Sequence, residues 1–193
     1  KISINSLFMT QIINDMNADN RITFGSVVAI GNFDGVHIGH QSLIKLIIER
    51  AKFKNSNSGI LSFEPHPREF FDKQKQSFKI MSTESRRKKL SKTGLDFIIE
   101  FPFNKSVANM EPSTFIEDIL HEKFGITHII IGQDFKFGKA RSGNAEMLKK
   151  LGKTFGIKVE IFEIKKNRNL NISSSRIRDL ITAGEVETAN DLL

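Results

Sequence analysis

The 193-residue sequence contains no cysteine, no tryptophan and no tyrosine. The absence of cysteine excludes disulfide bonds, thiolate zinc sites and a cysteine nucleophile. The 17 phenylalanines can pack or stack, but none carries a phenol or indole group that donates a hydrogen bond. No apolar run approaches the ~18 residues of a membrane span, and the amino-terminal residues lack a signal-peptide pattern. We therefore expect a cytoplasmic protein with no membrane partner.

The charge is positive, with 29 lysines and arginines against 22 acidic residues and a net charge of +7. Such an excess favours anionic partners, although a lysine-rich solvated surface would explain it equally well. The basic residues are spread along the chain, and the phenylalanines lie mostly in core-like runs, so a nucleic-acid partner is not expected. Residues 69–93 are the most basic stretch, which predicts a mobile connection that leads into a solvated helix.

Apolar runs alternate along the chain with segments of helical periodicity, which indicates a β-α-β-α order. The predicted strands are Val27–Gly31, Gly59–Phe63, Leu95–Phe101, His128–Gly132 and Ile157–Ile164. The predicted helices are Gln41–Lys54, Thr83–Thr93, Thr114–Phe124 and Asn144–Phe155. This order predicts an α/β fold that forms one domain over residues 1–193, with a doubly wound, mainly parallel sheet and helices on both faces. Ligands of such sheets bind outside the carboxyl ends of the strands.

The first of those strand ends leads into the segment 31–40, with the sequence GNFDGVHIGH, and then directly into a helix. Gly31 and Gly35 allow a tight turn and a close approach of the backbone to a ligand. Gly39 leaves its position in the first helical turn without a side chain. His37 and His40 are three residues apart and share one face at the helix N-terminus, where free N–H groups attract anions. This arrangement predicts a polyphosphate site; a zinc site is disfavoured because two histidines leave a metal under-coordinated.

A second phosphate-binding segment is predicted at residues 172–178, with the sequence ISSSRIR. It ends an extended stretch and opens a helix, with Ser173, Ser174 and Ser175 at the N-cap and in the first turn. Arg176 and Arg178 add fixed positive charge. The same pattern also fits an ordinary serine-capped helix, but two such helix starts in one sheet suit a triphosphate lying between them.

These strings resemble those of a known family. The HxGH motif at 37–40 is typical of the nucleotidyltransferase superfamily, and the longer string at 31–37 resembles bacterial FAD synthetases. The strings FEPHPR at 63–68, GQDFKFG at 132–138 and ISSSRIR at 172–178 match the same family in the same order, with Ser175 where threonine is common. The resemblance spans nearly the whole chain and implies a Rossmann-like nucleotidyltransferase fold. In that family a riboflavin kinase module follows the segment that this sequence matches. We therefore expect no riboflavin kinase module within residues 1–193.

The resemblance also implies a reaction and a set of site residues. The expected reaction is adenylyl transfer from ATP to FMN, which yields FAD and pyrophosphate, with Mg²⁺ accompanying ATP. The residues expected at the chemical step are His37, His40, Ser174 and Arg176. Further ATP-binding residues are expected at Gly31, Asn32, Phe33, Gly39, Gly132, Ser173, Ser175 and Arg178. The residues expected at the flavin are His66, Pro67, Arg68, Asp134 and Phe135. No metal ligand and no oligomeric state is assigned from the sequence.

Three alternatives share part of this pattern. Class I aminoacyl-tRNA synthetases carry HxGH, but this chain is too short for their catalytic and anticodon-binding domains, and residues 173–178 replace their lysine-rich second signature. Other small adenylyl- or cytidylyltransferases share HxGH but lack the strings at 63–68 and 134–138. A non-enzymatic, basic nucleic-acid-binding module would explain the charge, but the phenylalanines are not interleaved with a stripe of basic residues.

Overall fold

The computed structural model describes residues 9–18, 20–71, 79–163 and 172–193. The strands are β1 Gln11–Ile13, β2 Val27–Ile30, β3 Ser58–Glu64, β4 Phe97–Pro102, β5 His128–Gly132, β6 Lys136–Phe137, β7 Gly143–Asn144 and β8 Lys158–Phe162. The helices are α1 Ile38–Phe53, α2 Pro67–Phe71, α3 Thr83–Ser91, α4 Lys105–Ala108, α5 Pro112–Thr114, α6 Ala145–Thr154, α7 Ser174–Thr182 and α8 Val186–Asn190. A π-helical segment, Phe115–Lys123, continues α5, and short 3₁₀ turns occupy Arg21–Thr23 and Lys139–Arg141.

Six of these strands form one sheet in the order β1-β4-β3-β2-β5-β8, and each neighbouring pair is parallel. Strands β6 and β7 form a separate antiparallel pair. The strand order reverses at β2, because β3 lies on one side of it and β5 lies on the other. The crevice above the carboxyl end of β2 is therefore the expected ligand position of this sheet. The predicted α/β fold with a mainly parallel sheet is confirmed.

Helices cover both faces of the sheet, as the continuous apolar strands predict. On one face, Ile129 and Ile131 of β5 are buried in a core that includes residues of the π-helical segment and α6. On the other face, Ile130 is buried in a second core with residues of α1 and α3. Neighbouring strand residues point to opposite faces, so a run of isoleucines serves both cores.

Most predicted boundaries agree with the structure to within a few residues. Helix α1 begins at Ile38, three residues before the predicted start at Gln41, because the side chain of His37 caps it. Strand β8 ends at Phe162, and Ile164 of the predicted strand lies outside the described residues. Strand β1 was not predicted, since its three residues are too few to show a period, and only Ile13 of them is buried.

The prediction for the basic stretch 69–93 is wrong at helix α3. Arg86 of this helix is 4% exposed and is not part of a solvated face. Its guanidinium donates to the backbone oxygen of Asn32 at 3.2 Å and to the carboxylate of Glu64 at 3.0 Å. A buried, paired cation of this kind holds two strand ends together. Residues 72–78 of the stretch lie outside the described residues.

Candidate active site

Two stacked imidazoles stand where the loop after β2 enters α1. His37 is the N-cap residue of α1, and its Nδ1 accepts a hydrogen bond from the backbone N–H of His40 at 3.3 Å. The two rings are stacked, with centroids 3.6 Å apart and planes inclined by 15°. The predicted shared face of His37 and His40 is therefore observed, at a helix N-terminus that favours anions.

Both imidazoles are neutral near pH 7. Burial lowers the pKa of His37 to about 4. Burial also lowers the pKa of His40 well below its usual value, and His37 adds to that effect. Because Nδ1 of His37 accepts a hydrogen bond, the proton of its neutral ring resides on Nε2, which can donate to an anion. His37 thus combines a structural acceptor with a potential phosphate donor in one ring.

Helix α7 begins next to this histidine pair. Its N-cap is Ser173, whose side chain accepts from the backbone N–H of Arg176 at 3.3 Å. Ser174 donates from Oγ to the backbone oxygen of Asp34 at 2.9 Å, which joins α7 to the loop that precedes His37. Ser175 and Arg176 are exposed. The structure therefore brings the starts of α1 and α7 together, as the sequence predicted.

A cavity of about 540 Å³ opens at the carboxyl ends of the central strands. Its floor includes Gly31 and Asn32, which follow β2 and belong to the same loop as His37. Its remaining lining comes from the segments after β3, β4 and β5. A crevice of this size, next to a phosphate-binding helix start, has the dimensions of a site for a small organic molecule.

All five residues predicted to bind a flavin line this cavity: His66, Pro67, Arg68, Asp134 and Phe135. His66 is 6% exposed, and its Nδ1 accepts from the backbone N–H of Arg68 at 3.1 Å. Burial, with a smaller contribution from the guanidinium of Arg178, lowers the pKa of His66 to about 4. The ring is therefore neutral at pH 7 with its proton on Nε2, in the same tautomer as His37.

Phenylalanine rings form much of the cavity wall. Phe63 meets Phe103 edge to face at 5.6 Å, and Phe71 meets Phe103 at 5.9 Å. Phe135 stacks on Phe137 at 5.5 Å on the opposite side. Phe71 is 70% exposed although it lines the cavity, so its ring is available to a ligand. This wall suits a flat aromatic ligand. Phe103 was not identified from the sequence.

Charged side chains lie around the rim of the cavity. Lys136 and Arg141 join Arg68 among the lining residues, whereas Asp134 is the acidic residue among them. Lys139, five positions after Asp134 in the chain, lies 3.8 Å from the carboxylate of Glu111. The excess of cations favours a ligand that carries negative charge.

A partly buried charge network supports the cavity floor, and little in the sequence indicates it. Glu64 pairs with Lys79 at 3.0 Å and with Arg86 at 3.0 Å. Arg86 in turn lies 3.5 Å from the buried carboxylate of Glu100. The same arginine holds the backbone of Asn32, whose buried Oδ1 has no hydrogen-bond partner among the described residues. Alternating charge on a predicted surface helix does not reveal which cation folds inward.

Asp34 was also not assigned a role from the sequence. It is 4% exposed and ion-paired with Arg178, with a distance of 2.6 Å between Oδ2 and Nη2. The only sign of this buried ion pair in the sequence is that Asp34 is a single carboxylate in a loop of glycines and apolar residues. The phosphate role that the sequence assigns to Arg178 remains a prediction, and the structure gives this arginine a partner in the histidine loop.

The remaining predicted residues lie near the crevice without lining the cavity. Phe33 is buried, and its ring is 5.0 Å from that of His40. Gly39 is buried in the first turn of α1. Gly132 ends β5, and a Cβ added to it would meet no atom within 4 Å. The ATP-binding roles of these three residues remain predictions.

A parallel α/β sheet with paired histidines at a helix start, above the strand at which the order reverses, is the arrangement that the resemblance to nucleotidyltransferases predicts. Comparisons with known proteins agree with this class. The family model described as FAD synthetase matches residues 19–176. The chain therefore belongs to the FAD synthetase family.

Curated relatives carry the description bifunctional riboflavin kinase/FMN adenylyltransferase. The protein from Buchnera aphidicola subsp. Schizaphis graminum is 34% identical over 95% of this chain and 59% of its own length. The protein from Haemophilus influenzae is 33% identical, with the same two coverages. The protein from Escherichia coli K12 is 29% identical over 88% of this chain and 54% of its own length. The chain thus spans a little over half the length of these relatives.

A solved structure, described as a macrolide-efflux protein from Streptococcus pneumoniae, superposes with a TM-score of 0.78 at 25% sequence identity. The match covers 95% of this chain and 59% of that one. This likeness confirms the fold. Among the residues that the structure describes here, no helix is both long enough and apolar enough to cross a membrane.

Proposed function

We propose that this chain transfers the adenylyl group of ATP to the phosphate of FMN, forming FAD and pyrophosphate. The observation that carries the proposal is the pair of neutral, stacked imidazoles at the start of α1, beside an aromatic cavity at the strand-order reversal. The family supports FMN as the substrate and FAD as the product. The flavin ring of FMN is then assigned to the cavity, and the triphosphate of ATP is assigned to the helix starts.

The cavity is the proposed position of the flavin ring. Its phenylalanine wall offers flat apolar surface, while His66 and Asp134 offer a donor and an acceptor for the polar edge of the ring. Phe135, which stacks on Phe137, offers a second aromatic surface in the same cavity. Arg68 adds positive charge at the rim for the phosphate of FMN. Asn32 lines the cavity and belongs to the loop that leads to His37, and the phosphate of FMN is proposed to lie along this loop.

The starts of α1 and α7 are the proposed position of the triphosphate of ATP. Free backbone N–H groups at both helix starts bind phosphate oxygens. In α7, the exposed Ser175 and Arg176 are oriented to solvent and are proposed to hold the departing pyrophosphate. Ser174 and Arg178 connect this helix to the loop before His37. The two phosphate-binding segments thus form one continuous site.

In the proposed reaction, an oxygen of the FMN phosphate attacks the α-phosphorus of ATP. The new P–O bond joins the two nucleotide halves, the bond from the α-phosphorus to the α,β-bridging oxygen breaks, and that oxygen leaves with pyrophosphate. The nucleophile is already an anion near neutral pH, so the step requires no general base. Catalysis therefore rests on orientation and on stabilisation of charge. Nε2–H of His37 is proposed to donate to the phosphate oxygens that gain charge, and His40 is proposed to assist it.

The histidine and carboxylate side chains of the described residues bear on how Mg²⁺ would be held. Among them, no group of three or more histidine or carboxylate side chains is arranged to hold a metal ion. Asp34, the carboxylate closest to the histidine pair in the loop, is already paired with Arg178. We therefore propose that Mg²⁺ enters as part of the substrate, bound to the phosphates of ATP.

The test is to incubate the purified chain with FMN, ATP and Mg²⁺ and to measure FAD and pyrophosphate together by chromatography. The proposal predicts equal amounts of both products, and none when riboflavin replaces FMN, because riboflavin has a hydroxyl where FMN has the attacking phosphate. CTP in place of ATP separates this activity from cytidylyl transfer. Failure to form FAD, or pyrophosphate release without FAD, would overturn the proposal.

A further inference from the structure

The loop between β2 and α1 has a strained backbone. Phe33 and Val36 have φ angles of +52° and +45°, although neither is a glycine. A positive φ is especially unfavourable for a β-branched residue such as Val36. A conformation of this kind persists only where surrounding contacts hold it, and such conformations are concentrated at functional sites. His37 follows Val36 directly, so whatever holds this loop also positions the histidine pair.

Side chains from three helices hold the backbone oxygens of this loop. Ser174 of α7 donates to the oxygen of Asp34 at 2.9 Å. Lys89 of α3 donates to the oxygen of Gly35 at 3.2 Å. Gln41 of α1 donates to the oxygen of Val36 at 3.0 Å. Three consecutive carbonyl groups are thus fixed from outside the loop, which accounts for the persistence of the strained backbone.

The carboxylate of Asp34 is the centre of this arrangement. Both of its oxygens accept from the backbone N–H of Ile80 at 3.1 Å, and Oδ1 accepts from Met81 at 3.4 Å. Oδ2 accepts from the guanidinium of Arg178 at 2.6 Å. A carboxylate that is 4% exposed is stable only when donors of this kind satisfy it. Asp34 therefore joins the histidine loop, the segment at residues 80–81 and helix α7.

We infer that Asp34 is a positioning residue that holds the histidine pair in register with the start of α7. This inference rests on the proposed function, because it concerns the geometry of the proposed adenylyl transfer. Asp34 is not among the residues that line the cavity; it would act through the backbone that leads to His37 on one side and through Arg178 on the other. An arrangement that fixes both phosphate-binding segments mainly affects the reacting geometry, so its loss lowers kcat more than it changes KM.

The principal test is Asp34→Asn, which keeps the shape of the side chain and removes its charge. The expected result is a loss of kcat of about tenfold or more, with the KM for FMN within about twofold of that of the wild type. A cycle with Arg178→Gln adds a second readout. If Asp34 acts through Arg178, the double variant loses much less than the product of the two single losses. A wild-type kcat in Asp34→Asn, or fully multiplicative losses in the cycle, would overturn the inference.

A second variant covers the case in which Asp34→Asn does not fold. Lys89→Met removes a different contact to the same loop, at the oxygen of Gly35, and leaves Asp34 in place. It should lower kcat without a change in the KM for FMN. Lys88→Met is the matched control, since it removes the same charge from an exposed neighbour on the same helix and should retain wild-type kinetics. Equal kinetics of the Lys88 and Lys89 variants would overturn the inference.

The wild-type chain, assayed in parallel, separates this inference from the proposed function. If the wild type forms no FAD, the proposed function fails first. If the wild type forms FAD and Asp34→Asn forms it at the same rate, the proposed function stands and the role of Asp34 is refuted.

Discussion

Nδ1 of His37 accepts the backbone N–H of His40 at 3.3 Å, so the same ring that caps helix α1 keeps its own proton on Nε2. The cap and the proposed phosphate contact use opposite nitrogens of one side chain. The two roles can therefore be separated by substitution, because asparagine can replace the Nδ1 acceptor but not the Nε2–H donor.

His37→Asn and His37→Ala test this separation. Asparagine is a good N-cap residue and alanine is not, so we expect His37→Ala alone to lose about 1 kcal/mol of unfolding free energy. Both variants lose the Nε2–H donor and should lose roughly tenfold or more in kcat, which corresponds to about 1.4 kcal/mol. Denaturant unfolding and steady-state FAD formation measure the two effects. Wild-type turnover in His37→Asn would show that the ring does not act on the phosphates.

The titration of the buried histidines gives a second prediction. Burial lowers the pKa of both His37 and His66 to about 4. We expect their ring signals in NMR spectra to remain those of neutral imidazole from about pH 8 down to about pH 5, since the usual pKa of histidine is about 6.5. Single substitutions at the two positions assign the signals. A midpoint near 6.5 for either ring would contradict the buried, neutral site described here.

His128 predicts a pH dependence of stability at the opposite end of the sheet. It is fully buried, neither ring nitrogen has a hydrogen-bond partner among the described residues, and burial lowers its pKa to about 4. Glu160 lies 3.6 Å away and partly opposes this shift, whereas Arg50 and the neighbouring lysines reinforce it. The unfolded chain therefore binds more protons than the folded chain between about pH 4 and about pH 6.5, and stability falls as the pH falls through this range.

The test of this effect is His128→Leu, followed by denaturant unfolding at several pH values. The free energy of unfolding should depend less steeply on pH in the variant than in the wild type, while FAD formation at pH 7 stays unchanged. The remaining slope includes the contributions of His37, His40 and His66, whose pKa values are also lowered. An identical slope in both proteins would show that His128 does not carry this linkage.

Phe71 allows a test of the cavity that leaves the core intact. Its ring is 70% exposed and lines the cavity, so Phe71→Ala removes ligand surface with little effect on folding. We expect a several-fold rise in the KM for FMN and an unchanged KM for ATP, since only the flavin is proposed to occupy this wall. Phe53→Ala is the matched control, because Phe53 is 89% exposed at the end of α1 and does not line the cavity. A rise in the KM for ATP alone would instead assign ATP to the cavity and FMN to the helix starts.

Arg176 tests the assignment of pyrophosphate to helix α7. Its side chain is exposed at a helix start, and an arginine–phosphate contact is strong and directional. Arg176→Ala should raise the KM for ATP and weaken inhibition by pyrophosphate, with FMN binding nearly unchanged. Lys150→Ala removes an exposed positive charge from α6 and controls for the loss of charge alone. Calorimetry that shows weaker FMN binding instead would assign this helix to the phosphate of FMN.

The sequence predicted the central strands and the histidine pair because both depend on local spacing. Continuous apolar runs such as Ile129–Ile131 identify buried strands, and the three-residue interval between His37 and His40 places both rings on one helix face. The loop containing His66 and Arg68 was also placed correctly, since it follows directly after a strand. These features need no knowledge of distant contacts.

What the sequence could not predict depends on contacts between distant segments. The burial of Arg86 requires Glu64, 22 positions away in the chain, and the ion pair of Asp34 requires Arg178, 144 positions away. A basic helix and a lone carboxylate in a glycine-rich loop are each compatible with full solvation. Phe103 became part of the cavity wall only because β4 lies next to β3 in the sheet.

The central claim is that the FMN phosphate attacks the α-phosphorus of ATP in this site. The most direct measurement uses FMN whose phosphate oxygens carry a heavy isotope, followed by mass spectrometry of both products. We expect all of the label to remain in FAD and none to enter pyrophosphate, because the bond that breaks lies between the α-phosphorus and the α,β-bridging oxygen of ATP. Label in pyrophosphate, or no formation of FAD, would contradict it.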